Sequence, residues 1–130
     1  MLKYAHHVHY VVRNLEDMIA YMEETFGMKP VSVDDYRERG RGVKKALYTV
    51  DKTMIDIIEP TDLDTYSGKM LRDNGPGILH VGWAVDDIDK AAKDLEAKGT
   101  KFSGQVSVRG YTEVNIDRDS SHGIWFQLCG

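Results

Sequence analysis

The chain has a single cysteine, Cys129, and three prolines, and its apolar residues are so dispersed that no window approaches the roughly 20 consecutive ones of a membrane span. One thiol cannot form an internal disulfide, which excludes a disulfide-stapled secreted scaffold. Positive charge is also short. The formal net charge is −4 at pH 7, whereas binding to nucleic-acid phosphates needs a basic face. Met1 to His6 run into the first extended segment without an apolar secretory stretch, so a reducing cytoplasm is the expected location. With these classes set aside, 130 residues suit one compact domain, 1–130, that buries about two-thirds of its unfolded surface.

What the chain does have is a repeat. His7-Val8-His9-Tyr10-Val11-Val12-Arg13-Asn14-Leu15-Glu16 is echoed 73 residues later by His80-Val81-Gly82-Trp83-Ala84-Val85-Asp86-Asp87-Ile88-Asp89. Thr53-Met54-Ile55-Asp56-Ile57 is echoed 71 residues later by Ile124-Trp125-Phe126-Gln127-Leu128. Each half therefore opens on a histidine strand and closes on an apolar strand with one polar oxygen, which is the mark of a duplicated supersecondary unit. His7 pairs with His80, and Asp56 with Gln127.

Residues 6–12 alternate, with Val8, Tyr10 and Val12 on one face and His7, His9 and Val11 on the other. Asn14 caps a helix whose Leu15, Met18, Ile19 and Met22 recur at helical spacing, and Gly27 stops it. Strands are expected at 31–36, 43–50 and 53–58, which completes βαβββ over about 5–60. A linker of about 61–77 holds a short helical candidate near 67–72 and the breaker run Asn74-Gly75-Pro76-Gly77. The second module, about 78–130, repeats the order with strand 79–85, helix 88–98, and strands near 104–108, 111–117 and 123–128.

These segments, together with Met54-Ile55-Asp56-Ile57-Ile58-Glu59-Pro60 and the ending His122-Gly123-Ile124-Trp125-Phe126-Gln127-Leu128, resemble the vicinal-oxygen-chelate superfamily of glyoxalases, extradiol dioxygenases and resistance proteins. Within it the chain is most similar to the methylmalonyl-CoA epimerase branch. The resemblance implies an α+β fold in which two tandem βαβββ modules form a curled sheet around a metal-binding cavity. It also implies one divalent metal ion, Co, Zn, Mn, Ni or Fe, held by His7, Asp56, His80 and Gln127, and a homodimer. Imidazole nitrogen with carboxylate or amide oxygen suits such an ion.

In that branch the position of Gln127 resembles a place for Glu, and a second acid is expected in the segment that here reads Arg39-Gly40-Arg41-Gly42. An amide cannot accept a proton at a useful pH, so proton transfer must fall to another group. The candidate is His9, which shares the face of His7 by alternation, with Glu113, Tyr111 and Tyr48 as lesser candidates. His9 is equally readable as a partner of a ligand or as an extra ligand. The basic run Arg37 to Lys45 is either a solvated turn or an attractor for an anionic small-molecule substrate.

The expected function is a metal-dependent isomerase, epimerase or lyase that acts through a metal-stabilised enolate on a small carbonyl or acyl-CoA-type substrate. Two alternatives stand beside it. One is an Fe(II) dioxygenase using His7, His80 and Asp56, and the other is a resistance-type protein that sequesters its ligand without catalysis.

Overall fold

The computed structural model describes residues 1–36, 42–108 and 110–130. Its elements run β1 (Ala5–Val11), α1 (Leu15–Phe26), β2 (Ser32–Asp35), β3 (Val43–Val50), β4 (Thr53–Pro60), α2 (Tyr66–Asn74), β5 (Gly77–Ala84), α3 (Ile88–Ala97), β6 (Phe102–Val108), β7 (Tyr111–Ile116) and β8 (Phe126–Cys129). The βαβββ order thus occurs twice in an α+β chain. Among the described residues no helix is long and apolar enough to cross a membrane.

Two compact units form, Val8–Leu79 on one hand and Met1–His7 with His80–Gly130 on the other. The division falls inside β1, because the first residues of the chain bond to the second module. Lys3 N–H donates to the Ala84 carbonyl at 3.0 Å, and Ala84 N–H donates to Tyr4 at 2.9 Å. His7 consequently belongs to the same unit as His80.

In the unit Val8–Leu79 the strand order is β2-β3-β4-β1. The β3–β4 hairpin pairs Val43↔Pro60 through Val50↔Thr53 and turns at Asp51, whose φ of 52° is one of the left-handed conformations Asp tolerates. Asn14 caps α1 by accepting from Asp17 N–H at 2.9 Å, Glu59 Oε1 accepts from Leu15 N–H at 2.8 Å, and Gly27 ends the helix at φ 66°. The helix lays Leu15 and Met22 over Ala46, Tyr48 and Ile57. Strand alternation puts Ile58 on the other face, where Val11 and Leu71 of α2 cover it.

In the unit Met1–His7 with His80–Gly130 the order is β5-β8-β7-β6. β8 runs parallel to β5, with Gly82 opposite Gln127, and antiparallel to β7, with Asn115 opposite Gln127. Asp87 caps α3 by accepting from Lys90 N–H, and the helix buries Ala91 against Val85 and Leu128 with Trp83 and Leu95 packed around them. Trp83 and Leu128 therefore face the helix, and the alternate positions His80, Gly82 and Gln127 face away from it.

Two expectations shift. The linker is half helix, since Thr65 caps α2 by accepting from Gly68 N–H and nine residues follow. The last strand starts at Phe126 rather than 123, because a 3₁₀ turn at Arg118–Ser120 and left-handed backbone at His122 and Gly123 occupy the residues before it.

Tyr48 lies on the α1 side of its hairpin, fully buried, and its hydroxyl has no hydrogen-bond partner among the described residues. A buried unpaired hydroxyl costs about 1–3 kcal/mol. Tyr48→Phe is therefore expected to leave the unfolding midpoint unchanged or to raise stability by about 1 kcal/mol in denaturant titration. A loss of stability would show that the hydroxyl is hydrogen-bonded in solution.

Candidate metal centre

His7 and His80 are 2% and 6% exposed, and their Nε2 atoms lie 3.3 Å apart. Two nitrogens each about 2.0–2.1 Å from one tetrahedral ion are separated by about 3.3 Å, so the pair is spaced as one edge of a coordination polyhedron. Trp125 stacks on His80, with ring centroids 4.1 Å apart and planes 29° from parallel. His7 owes its place to an absence. A Cβ built at Gly82 would stand 2.4 Å from His7 Cε1 and 2.7 Å from Nε2, so the imidazole fills the space of the missing side chain. The other edge of the His7 ring turns to His6, with Nδ1 atoms 3.0 Å apart, and to Cys129, whose Sγ is 3.9 Å away. Burial, reinforced by the charge of Glu113, pushes the Cys129 thiol up to about 12.

Gln127 has its amide orientation fixed by its neighbours. Trp125 Nε1–H can only donate, and it does so to Asn115 Oδ1 at 2.8 Å. That oxygen also accepts from Gln127 Nε2 at 3.1 Å, and Glu113 Oε2 accepts from the same nitrogen at 3.2 Å. With both acceptors on its NH₂ side, Gln127 turns Oε1 the other way, where it receives a long contact from the Cys129 thiol at 3.8 Å. An oxygen so aimed on a buried side chain is a competent ligand atom. His6 and Asn115 escaped the reading of the sequence. Asn115 was accessible to it, since it stands two residues from Glu113 on the same strand face; His6 was not, since alternation assigns neighbouring residues to opposite faces.

The remaining candidates lie in the unit Val8–Leu79. His9 Nε2 sits 2.8 Å from Asp56 Oδ2, and Lys45 Nζ sits 3.1 Å from Oδ1. Lys45 meets buried Oδ1 as an ion pair, and that oxygen accepts no other hydrogen bond among the described residues. Burial alone would raise the Asp56 carboxyl, but His9 and Lys45 outweigh it and hold the group down at about 2. Tyr48 is not brought to this cluster; it sits under α1, opposite Ile55, on the other face of the hairpin from Asp56. Tyr111 packs its ring on His6 at 4.6 Å. The basic run from Arg37 and the missing acid at Gly40 lie outside the described residues up to Arg41, so of that run Lys45 is the residue seen at the cluster.

Residues 6–116 match the family described as Glyoxalase/Bleomycin resistance protein/Dioxygenase superfamily. The chain belongs to this superfamily. Its fold is also that of several solved structures at low identity. The methylmalonyl-CoA epimerase of Mycobacterium tuberculosis superposes with a TM-score of 0.83 at 22% identity, over 98% of this chain and 87% of that one. A Streptomyces coelicolor methylmalonyl-CoA epimerase variant in complex with 2-nitronate-propionyl-CoA gives 0.79 at 23%, over 99% and 97%. A hypothetical protein from Bacillus halodurans gives 0.81 at 20%, over 97% and 92%. No curated protein matches the chain. The superfamily fold thus carries, in one unit of this chain, a buried histidine pair with the spacing of metal ligands.

Two expectations are open to direct measurement. Gly82→Ala should force the His7 ring aside and weaken divalent-metal binding by at least about tenfold, the effect typical of disturbing a ligand's support, read by calorimetric titration. Unchanged affinity would show that His7 does not ligate. The depressed Asp56 carboxyl contributes stability above its ordinary value of 3.8 that is lost as pH falls through about 2. Wild type should therefore lose about 2 kcal/mol more than Asp56→Asn across that interval in acid-dependent denaturation.

Proposed function

We propose that this chain is a metal-dependent isomerase or epimerase, or a glyoxalase-like lyase, acting through an enolate on a small carbonyl or acyl-CoA-type substrate. The reading assigns metal binding to His7, His80, Gln127 and Asp56. Its main support is the buried His7–His80 pair beside an amide oxygen turned away from Glu113 and Asn115. When bound, a divalent cation would supply Lewis acidity toward the developing enolate oxygen. The similarity in fold to epimerases, one of them holding 2-nitronate-propionyl-CoA, supports the acyl-CoA class. A homodimeric, cytoplasmic enzyme with an anionic substrate belongs to the same reading.

Proton transfer is the part in which this chain departs from the branch it resembles. Gln127 cannot take a proton, but Glu113 is hydrogen-bonded to it from the adjacent strand, and we assign the base to that carboxylate. The negative charge has moved one strand across while remaining within one hydrogen bond of position 127. His9 is the second proton carrier in this proposal. Its imidazole is already oriented by Asp56, the arrangement that holds a histidine ready to exchange a proton. Tyr48 has no such support, because its hydroxyl is enclosed under α1.

The deciding experiment combines metal analysis of the purified protein with solvent-deuterium exchange at the alpha carbon of 2-substituted acyl-CoA thioesters. About one divalent ion per chain, lost in the His7→Ala/His80→Ala double variant, is expected. Exchange should fall by roughly 10²- to 10⁴-fold in Glu113→Gln with metal retained. Methylmalonyl-CoA itself should turn over slowly, because position 127 has no acid. Metal kept in the double variant, or full exchange in Glu113→Gln, would defeat the respective assignment, and oxygen uptake with Fe²⁺ would favour a dioxygenase instead.

A further inference from the structure

The edge of His7 that faces away from His80 has its own set of ligand atoms. His6, His7 and Cys129 each offer one ligand atom, a ring nitrogen or the thiol sulfur, and the three atoms lie within 4.8 Å of one another. We propose that these three atoms form a second cation site, selective for a thiophilic d¹⁰ ion of the Zn²⁺ and Cd²⁺ class and distinct from the His7–His80 pair. The geometry carries it. With bonds of about 2.0–2.1 Å to nitrogen and 2.3 Å to sulfur, a tetrahedral ion needs edges of about 3.3 Å between nitrogens and 3.6 Å from nitrogen to sulfur. The chain presents 3.0 Å between the two Nδ1 atoms and 3.9 Å from His7 Nδ1 to Sγ.

The ligands are also held. His7 and Cys129 are 2% and 1% exposed, His7 is wedged over Gly82, and the ring of His6 lies against Tyr111. The donor set is soft and borderline, two imidazoles and a thiolate, which excludes Mg²⁺ and Ca²⁺ and favours ions that accept sulfur. Three protein atoms leave one coordination position open. Binding breaks the S–H bond, releases its proton to solvent and forms a sulfur–metal bond, with no change of oxidation state. The thiol's long contact to Gln127 Oε1 is given up in exchange.

One consequence follows from the imidazole itself. A neutral ring has one lone pair free for ligation, on Nδ1 or on Nε2, and full use of both edges requires the ring to lose its last proton. An ion at the His6–Cys129 edge therefore competes with an ion at the His80 edge unless the ring becomes a bridging imidazolate. The site would make the protein sensitive to thiophilic ions. This inference rests on the three atoms alone and survives if the proposed reaction is wrong.

The test titrates metal-depleted protein with Cd²⁺ and with Co²⁺ and follows the thiolate-to-metal charge-transfer absorption. Wild type is expected to develop the band at one ion per chain through this site. Cys129→Ser should abolish it, and His6→Ala should weaken Cd²⁺ binding by at least about tenfold. His80→Ala, which removes the other site, should keep the band. Cd²⁺ should also protect Cys129 of the unaltered protein from alkylation, a measurement that needs no variant. No band in wild type, an unchanged Cd²⁺ affinity in His6→Ala, or a band lost in His80→Ala as completely as in Cys129→Ser would each overturn the site, the last by showing that the thiol serves the His7–His80 pair.

Discussion

The position of one imidazole depends on a side chain that is not there. His7 lies over Gly82 so closely that any Cβ at that residue would enter its ring, and both of its nitrogens then face ligand-type neighbours, His80 on one edge and His6 with Cys129 on the other. Packed interiors tolerate little change in volume, so the glycine fixes the ring more firmly than a hydrogen bond worth about 1 kcal/mol would. The repeat makes the point sharper, because Gly82 is the counterpart of His9. Where one half needs a bare backbone to receive a ring, the other half carries a ring of its own and turns it to Asp56. The repeat thus sets a glycine and a histidine at equivalent positions of two strands, with different surroundings.

Charge is distributed between the halves by the same logic. Gln127 donates to Glu113 across 3.2 Å, an arrangement open to an amide and closed to a carboxylate unless it is protonated. Two carboxylates at that separation would repel by about 5 kcal/mol at an effective dielectric constant near 20, against about 1.5–3 kcal/mol gained from a hydrogen bond to a charged group. Glutamine at 127 and glutamate at 113 are thus one feature rather than two. Asn115 completes it, since the Trp125 N–H fixes its oxygen, which in turn fixes the Gln127 amide. The same Trp125 stacks on His80, so one indole steadies two of the candidate ligands.

Periodicity and repetition were enough to read the two βαβββ modules and the helix cap at Asn14 from the sequence, because strand alternation and capping are local rules. What those rules cannot carry is register between strands distant in the chain. The hydrogen bond from Gln127 to Asn115 follows only when β7 is set against β8, and the approach of Lys45 to Asp56 only when β3 and β4 pair. Tyr48 misled for the opposite reason. A tyrosine on a half-polar strand looks like chemistry, yet pairing with Ile55 puts it on the face that α1 covers. The late start of β8 reflects left-handed backbone at His122, a residue type for which the sequence gives no turn signal as strong as that of glycine.

The two kinds of candidate ligand do not start from the same electrostatic position. Asp56 is already in company: His9 holds one oxygen, and an ammonium lies 3.1 Å from the other, so a cation approaching Oδ1 meets the like charge of Lys45 and must displace it. Displacing one partner of a buried pair is expensive, because the remaining charge is left to face a low-dielectric surrounding. The imidazoles of His7 and His80 are held by shape and stacking, on Gly82 and Trp125, which a bound ion would leave intact. In the proposed centre the histidine pair and the oriented Gln127 oxygen would therefore supply most of the affinity, with Asp56 the ligand that is costliest to engage. Asp56 is already fixed by its own neighbours, His9 at one oxygen and Lys45 at the other, and an ion reaching it has to reorganise that cluster first.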